Sequence, residues 1–405
     1  MPGRLSVTMK LSRKMTVLGA LYFSQGLPYG FFVQALPVLL RKQGFSLEQI
    51  GLSSLLALPW GFKFLWSPAV DRYSSRAFGH RKSWIIPAQL LSVLTLLVLA
   101  FLKLRGSLAW ALTFVLLSNL MTATQDIATD GLSLDLMLPQ ERGLANGLKV
   151  SAYRGGMIIG GGTLLWLYQW LDWRGAYLCM AALTLLATIP LLILKEPDTL
   201  HIDAKNARPF QFLTRPGSLR VLCLLITYKL GDAFSTGMLR PFFSDLGLSV
   251  ADIGWLLGTV GFVAGLLGAF TGGALVNRLG RKRALVAFGM LQAASVAGYT
   301  YMSHARPGQL FLAAICACEH FASGMATATL FTCMMDWSSK ETRATDFSIQ
   351  ASVVVLATLA ASALSGPSAQ RLGYTQHFAL STALACLSVW VVLRLFPAAP
   401  KEQDG

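Results

Sequence analysis

Apolar stretches of about twenty residues recur along this chain, and no other feature restricts its fold more. A run of that length, rising ~1.5 Å per residue as a helix, crosses a hydrocarbon layer ~30 Å thick. Twelve are present, at 16–40, 49–69, 83–102, 108–138, 143–168, 175–194, 218–243, 250–275, 284–303, 309–336, 344–366 and 377–397. Of the 405 residues, 54% are hydrophobic and 13% charged, about half the usual charged share. That leaves too little polar surface to coat two or three soluble domains, and far too much apolar surface for disorder. The expected fold is all-α and integral to a membrane, with twelve transmembrane helices.

Basic residues set the orientation. With both termini in the cytoplasm (N-in/C-in), 23 of the 34 Lys and Arg lie on the cytoplasmic side and 8 on the outer side; Lys63, Arg154 and Lys229 fall inside runs. The net charge of +15 therefore punctuates apolar segments and forms no exposed basic face, so no nucleic-acid partner is expected. The basic start resembles a secretory signal, but the first run is too long and Val33-Gln34-Ala35 is a poor cleavage site.

The chain repeats itself. Gly44-Phe45-Ser46-Leu47-Glu48-Gln49-Ile50-Gly51 opens the second run, and Gly247-Leu248-Ser249-Val250-Ala251-Asp252-Ile253-Gly254 opens the eighth; in each a Ser ahead of an acidic position reads as a helix N-cap. After the second run come Asp71-Arg72 and His80-Arg81-Lys82, and after the eighth Asn277-Arg278 and Gly280-Arg281-Lys282. Glu141-Arg142 after the fourth run is matched by Glu341-Thr342-Arg343 after the tenth. The expected organisation is a cytoplasmic N-terminus (1–15), a six-helix bundle (16–194), a cytoplasmic linker (195–217), a second six-helix bundle (218–397) and a tail (398–405).

Two repeated halves with an Asp-Arg…Arg-Lys loop resemble the major facilitator superfamily. That resemblance implies alternating access, with Asp71, Arg72, Arg81, Lys82, Arg142, Arg278, Arg281 and Arg343 as gating loops that latch carboxylates to basic residues and helix ends. Asn277 in place of an Asp weights the latch toward the first half. A narrower likeness rests on Leu21-Tyr22-Phe23-Ser24-Gln25-Gly26-Leu27-Pro28-Tyr29, Phe62-Lys63-Phe64-Leu65-Trp66-Ser67-Pro68-Ala69-Val70-Asp71, Thr124-Gln125-Asp126-Ile127-Ala128-Thr129-Asp130 and Tyr153-Arg154-Gly155-Gly156. These blocks are similar to the AmpG muropeptide permease and acetyl-CoA transporter group. AmpG itself carries helices beyond twelve, and in size the chain is more similar to RhtX/FptX-type siderophore permeases. The resemblance thus implies import of a siderophore or its iron complex across a bacterial inner membrane, with muropeptide second and acyl-CoA third.

Ionisable groups inside membrane helices cost ~2.5–3.5 kcal/mol each on insertion scales and need a partner or a wet cavity. In the hairpin of runs four and five, Asp126 and Arg154 each lie 14 residues from the turn near Gln140, ~21 Å deep. Asp130 and Lys149 match at a shallower level. Asp126 and Asp130 share a helix face with Asn119, and paired carboxylates opposed by a base are the ingredients of a proton carrier. Asp126, Asp130 and Arg154 are therefore the expected proton-coupling residues. Lys229 and Asp232, three apart, can pair within their own helix or meet a solute. Tyr22, Gln25, Tyr29, Lys63, Asn119, Lys229, Asp232, Glu319 and His320 form the expected substrate cavity. Glycines of runs five and eight (155, 156, 160, 161, 162, 258, 261, 265, 268) are read as close-packing positions.

Cys316, Glu319 and His320 share a face, but they lack the spacing and number of a metal site, and all six cysteines lie in apolar runs. No metal and no cofactor are expected. No G-x-x-x-x-G-K-[ST] loop supports an ATP-driven pump, and no H-E-x-x-H or nucleophile–base set supports an enzyme. The expected function is a proton-coupled secondary transporter acting as a monomer, whose partners are a small-molecule solute, protons and lipid. A non-transporting membrane receptor is the alternative from another class.

Overall fold

The computed structural model describes residues 9–36, 54–73, 75, 79–102, 108–194, 196, 210–305, 308–339 and 341–397. The Gly44–Gly51 helix start, residues 1–8, linker residues 195 and 197–209, and the tail 398–405 lie outside them. Among the described residues every named element is helical; strand pairing is confined to an isolated bridge between Ser75 and Gly79.

The chain divides into two compact units. The first comprises Met1–Leu138, Ala152–Pro209 and Ser339–Ile349; the second comprises Pro139–Ser151, Phe210–Ser338 and Gln350–Gly405. In chain order the helices are α1 (Leu11–Gly30), α2 (Leu58–Phe62), α3 (Ser67–Arg72), α4 (Lys82–Phe101), α5 (Leu108–Leu136), α6 (Arg142–Met157), α7 (Leu164–Ile193), α8 (Ser218–Tyr228), α9 (Leu230–Thr236), α10 (Leu239–Asp245), α11 (Gly261–Leu279), α12 (Arg281–Ala305), α13 (Gln309–Trp337) and α14 (Arg343–Leu395). α6 and α14 each give their first turns to one unit and the remainder to the other.

The polarity of these helices is inverted relative to a soluble bundle. α4 buries Gln89, Ser92 and Thr95 while exposing Leu90, Leu91, Leu94 and Phe101. α5 buries Asn119, Gln125, Asp126 and Asp130 and exposes Trp110, Leu116 and Leu117. Water would expel such an outer face; lipid accepts it, and the polar groups then find each other inside. The Gln89 and Gln125 amides both donate to the Ser24 hydroxyl at 3.2 Å, tying α1, α4 and α5 together.

Six stretches among the described residues are long and apolar enough to cross a membrane, including Lys82–Phe101, Leu108–Leu136 and Gln309–Trp337. The eleventh and twelfth runs are merged in α14, which breaks at Gly373 with φ 75°. Two other runs are interrupted, for readable reasons. The second becomes α2, a tight turn at Lys63–Leu65 and α3. Pro68 has no N–H to offer the Phe64 carbonyl four residues back, and the Ser67 hydroxyl donates to that carbonyl instead, at 2.9 Å. The seventh becomes α8, α9 and α10, with a break at Lys229 (φ −106°, ψ 2°).

Glycine determines how closely two helix pairs approach. In the first unit a Cβ at Gly156 would collide with the Phe23 carbonyl and one at Gly160 with the Leu27 carbonyl, so α1 crosses α6 and its continuation backbone to backbone. In the second, Gly268 and Gly324 do the same between α11 and α13. Gly155, Gly162 and Gly258 have nothing within 4 Å of a Cβ. The close-packing expectation is corrected at those three positions, which face open space.

Candidate functional site

Each unit holds a buried charge cluster between its helices and an arginine–aspartate cluster at helix ends. In the first unit the break between α2 and α3 turns Lys63 inward, where it is 3% exposed. Its ammonium pairs with the Asp126 carboxylate and lies 3.8 Å from Asp130 Oδ2. Depth matching along the α5–α6 hairpin put Arg154 opposite Asp126 and Lys149 opposite Asp130. The structure brings Lys63, from the break between α2 and α3, onto both carboxylates. Arg154 follows Tyr153 on α6 and is half-buried. Lys149 belongs to the second unit, its ammonium 5.1 Å from the Phe331 ring centre.

Tyr22 and Gln25, expected to face a solute, are fully buried and each hydrogen-bonds α5, while the buried Gln25 Oε1 has no hydrogen-bond partner among the described residues. The Tyr22 hydroxyl donates to Asp130 Oδ1 at 2.9 Å, and the Gln25 amide donates to Thr129 Oγ1 at 3.2 Å. Asn119 donates to the Leu56 carbonyl at 2.9 Å, fastening the start of the second run to α5. Tyr29 meets Trp60 (5.4 Å between ring centres) and Tyr153 (5.8 Å), and those two meet at 5.9 Å. This aromatic triad lies one helical turn from Lys63 and is half-buried, so it offers ring faces beside a charged cluster.

In the second unit Lys229, at the α8–α9 break, lies 2.5 Å from Asp232 Oδ2. Ser323 of α13 bridges them, accepting from Lys229 at 3.0 Å and donating to Asp232 at 3.2 Å. Glu319 is 1% exposed. His320 Nδ1 is 2.7 Å from its carboxylate and 3.0 Å from the Cys316 carbonyl. Among the described residues no group of three or more His, Cys, Asp and Glu is arranged to hold a metal.

The helix-end clusters are near copies. In the first unit Asp135, at the end of α5, binds Arg81 (2.9 Å) and Arg343 (2.5 Å). In the second, Asp336, at the end of α13, binds Arg281 (2.7 Å) and Arg142 (2.6 Å). Asp71 accepts from Arg81 (2.8 Å) and from the Thr345 backbone and hydroxyl (both 2.7 Å). Its counterpart Asn277 accepts from Arg281 (2.5 Å) and donates to the Gln140 carbonyl. Burial opposes the charge on Arg81, yet the Asp135 and Asp71 carboxylates hold its pKa above the ordinary arginine value.

Arg72 and Arg278 are exposed, and the Arg72 guanidinium lies 5.9 Å from the centre of the Tyr73 ring. Lys82 donates to the Leu192 and Leu194 carbonyls at the end of α7. Glu196 in turn accepts the Arg81 and Lys82 backbone N–H groups at the start of α4, at 2.7 and 3.2 Å; burial pushes its carboxyl up, against those two bonds. Lys82 thereby ties the start of α4 to the end of α7.

Asp135, Asp336, Ser323, Thr345 and Glu196 were missed from sequence. A signal existed for the first two. Asp135 and Asp336 are 201 residues apart, as are Arg142 and Arg343, and each is the penultimate residue of a 29-residue helix.

Residues 14–110 match the family model described as Acetyl-coenzyme A transporter 1, and residues 221–405 match that of the Major Facilitator Superfamily. The chain is 32% identical over 380 residues to the anhydromuropeptide permease of Escherichia coli (strain K12), spanning 92% of this chain and 77% of that protein. It is 26% identical to putative transporter AmpG 4 of Rickettsia conorii, over 91% of this chain and 93% of that one. The crystal structure of the transporter FucP superposes with a TM-score of 0.73 at 15% identity, covering 95% of this chain and 98% of that chain. A double-tryptophan variant of XylE gives 0.72 at 14%, covering 95% of each chain. These two likenesses establish the fold.

Proposed function

Because this chain belongs to the major facilitator superfamily, in its AmpG and acetyl-CoA transporter-like group, we propose that it imports an anhydromuropeptide by alternating access. The observation that carries the reading is the 32% identity to a permease of that name along 92% of the chain. The muropeptide alternative thereby takes precedence over siderophore import, which rested on chain length. The acetyl-CoA model over residues 14–110 keeps an acyl-CoA as the second reading.

In this proposal twelve helices cross a bacterial inner membrane with both termini in the cytoplasm, and the protein works as a monomer on a small organic solute and protons. The first unit supplies chemistry suited to such a solute. Tyr29, Trp60 and Tyr153 present ring faces to an apolar or sugar surface. Lys63 and Arg154 are cations within reach of a carboxylate-bearing ligand. Asp126 and Asp130, one turn apart against Lys63, disfavour simultaneous ionisation. Protonating one of them weakens its hold on the lysine and shifts the balance between conformations.

The test is uptake of radiolabelled anhydromuropeptide into proteoliposomes under an imposed pH gradient, with a ferri-siderophore and acetyl-CoA assayed in parallel. Uptake of the muropeptide alone is expected, and Asp126→Asn abolishes its gradient-driven accumulation. Uptake of the siderophore alone refutes the substrate; undiminished accumulation by Asp126→Asn removes that residue from proton coupling.

A further inference from the structure

A buried indole N–H normally finds an acceptor, because a donor taken out of water and left unbonded loses its hydration with no return. Three tryptophans of the first unit have one. Trp66 donates to Thr124 Oγ1 at 3.1 Å, Trp84 to the Tyr73 carbonyl at 2.6 Å and Trp173 to the Leu99 carbonyl at 2.7 Å. Trp60 is different: its Nε1 is buried and has no hydrogen-bond partner among the described residues. A group of this kind in a native fold calls for an explanation.

The surroundings of Trp60 say what would complete it. Its ring meets Tyr29 of α1 and Tyr153 of α6 at interplanar angles of 68° and 73°. Those rings can offer the N–H only a π face, a weaker acceptor than oxygen. Lys63, three residues on, is a donor, and it takes the nearby carboxylates Asp126 and Asp130 for itself. The missing acceptor therefore comes from a molecule that enters between the rings. A solute carboxylate would be drawn to the Lys63 and Arg154 cations. An uncharged oxygen costs less to desolvate and suits a neutral donor walled by two rings.

We infer that Trp60 is a specificity-determining residue of the solute site, its indole N–H donating to an uncharged oxygen of the solute, a hydroxyl or an amide carbonyl. The rings of Tyr29 and Tyr153 part to admit that oxygen; contacts between rings are weak enough individually to be exchanged for stacking on the solute. The empty arrangement carries an unsatisfied donor and the occupied one does not, so the solute favours the opened triad by what that hydrogen bond is worth. A molecule of the same shape without the oxygen leaves the N–H bare and is rejected.

The inference rests on the solute reading above, and the experiment separates the two. In proton–nitrogen correlation spectra of the full-length protein carrying isotope-labelled tryptophan, the indole cross-peak lost in Trp60→Phe belongs to Trp60. Trp66, already bonded to Thr124, is the reference. Adding anhydromuropeptide should move the Trp60 proton downfield and leave Trp66 in place. The peptide-free sugar and the sugar-free peptide, added separately, show which part carries the oxygen. In proteoliposomes Trp60→Phe, which keeps an aromatic ring and removes the donor, should raise KM about tenfold with the maximal rate retained. Far-ultraviolet circular dichroism checks its fold, and Trp60→Tyr assigns the cross-peak if the phenylalanine variant does not fold. A Trp60 proton unmoved by a solute that the protein transports overturns the inference, and so does a wild-type KM in Trp60→Phe. If wild-type vesicles take up ferri-siderophore or acetyl-CoA and no anhydromuropeptide, the substrate reading fails, and the same titration with the transported solute decides the role of Trp60.

Discussion

Lys63 and Lys229 are both intramembrane lysines set at helix breaks, yet they are satisfied in different ways. Lys63 reaches across to Asp126 and Asp130 on α5, partners 63 and 67 residues away in sequence. Lys229 is paired within its own run, with Asp232 three residues on. The first arrangement makes a charge pair into a tie between elements, which any shift of α2 against α5 must break. The second leaves the lysine's partner in place when helices move and makes α13's contribution, through Ser323, the variable part. A helix break exposes backbone polar groups that membrane proteins tolerate only inside protein or beside water, and in each unit the break is where a cation is placed.

The largest expected effect breaks this contrast directly. Lys63→Met removes the buried cation that pairs with Asp126 and Asp130 and should destabilise by about 3–5 kcal/mol, whereas Lys229→Met should cost clearly less because Ser323 still donates to Asp232. Thermal unfolding in detergent measures both; equal losses would erase the distinction. The helix-end clusters sharpen it at smaller scale. The Asp135 side chain is 1% exposed and that of Asp336 24%. Asp135→Asn should therefore cost about 2–3 kcal/mol and Asp336→Asn about 1 kcal/mol.

Next comes backbone packing: Gly160→Ala should destabilise by about 1–2 kcal/mol through its clash with the Leu27 carbonyl. Gly155→Ala, with open space around it, should be neutral or slightly stabilising. The smallest effect is expected for Asn277→Asp, within about 0.5 kcal/mol. There a charge gained beside Arg281 offsets the lost donor to Gln140.

Much of the architecture was legible because its signals are periodic or repeated: apolar runs, paired loops, and arginines at matching offsets. The carboxylates Asp126 and Asp130 were legible because lipid makes each one costly. Their lysine partner was not, since counting residues along a straight hairpin ranks only groups on that hairpin. Lys63 arrives from a helix that Pro68 and a tight turn re-aim. The bonds that Tyr22 and Gln25 make to α5 were not legible for a related reason. Side chains beside Pro28 can face a cavity or a neighbouring helix, and only packing shows that α5 takes them. Asp135 and Asp336 sit where a run meets a loop, a place where a carboxylate needs no partner, and only the fold brings two arginines to each. The bond from Ser323 to Asp232 depends on α13 meeting α9, which no spacing within either run encodes.

The central claim is the solute, and trans-stimulation tests it most directly. Proteoliposomes preloaded with unlabelled anhydromuropeptide, ferri-siderophore or acetyl-CoA are given external labelled anhydromuropeptide, with no pH gradient. Faster entry of label only into vesicles preloaded with anhydromuropeptide is the predicted result; no stimulation by that solute, or stimulation by ferri-siderophore alone, would contradict it.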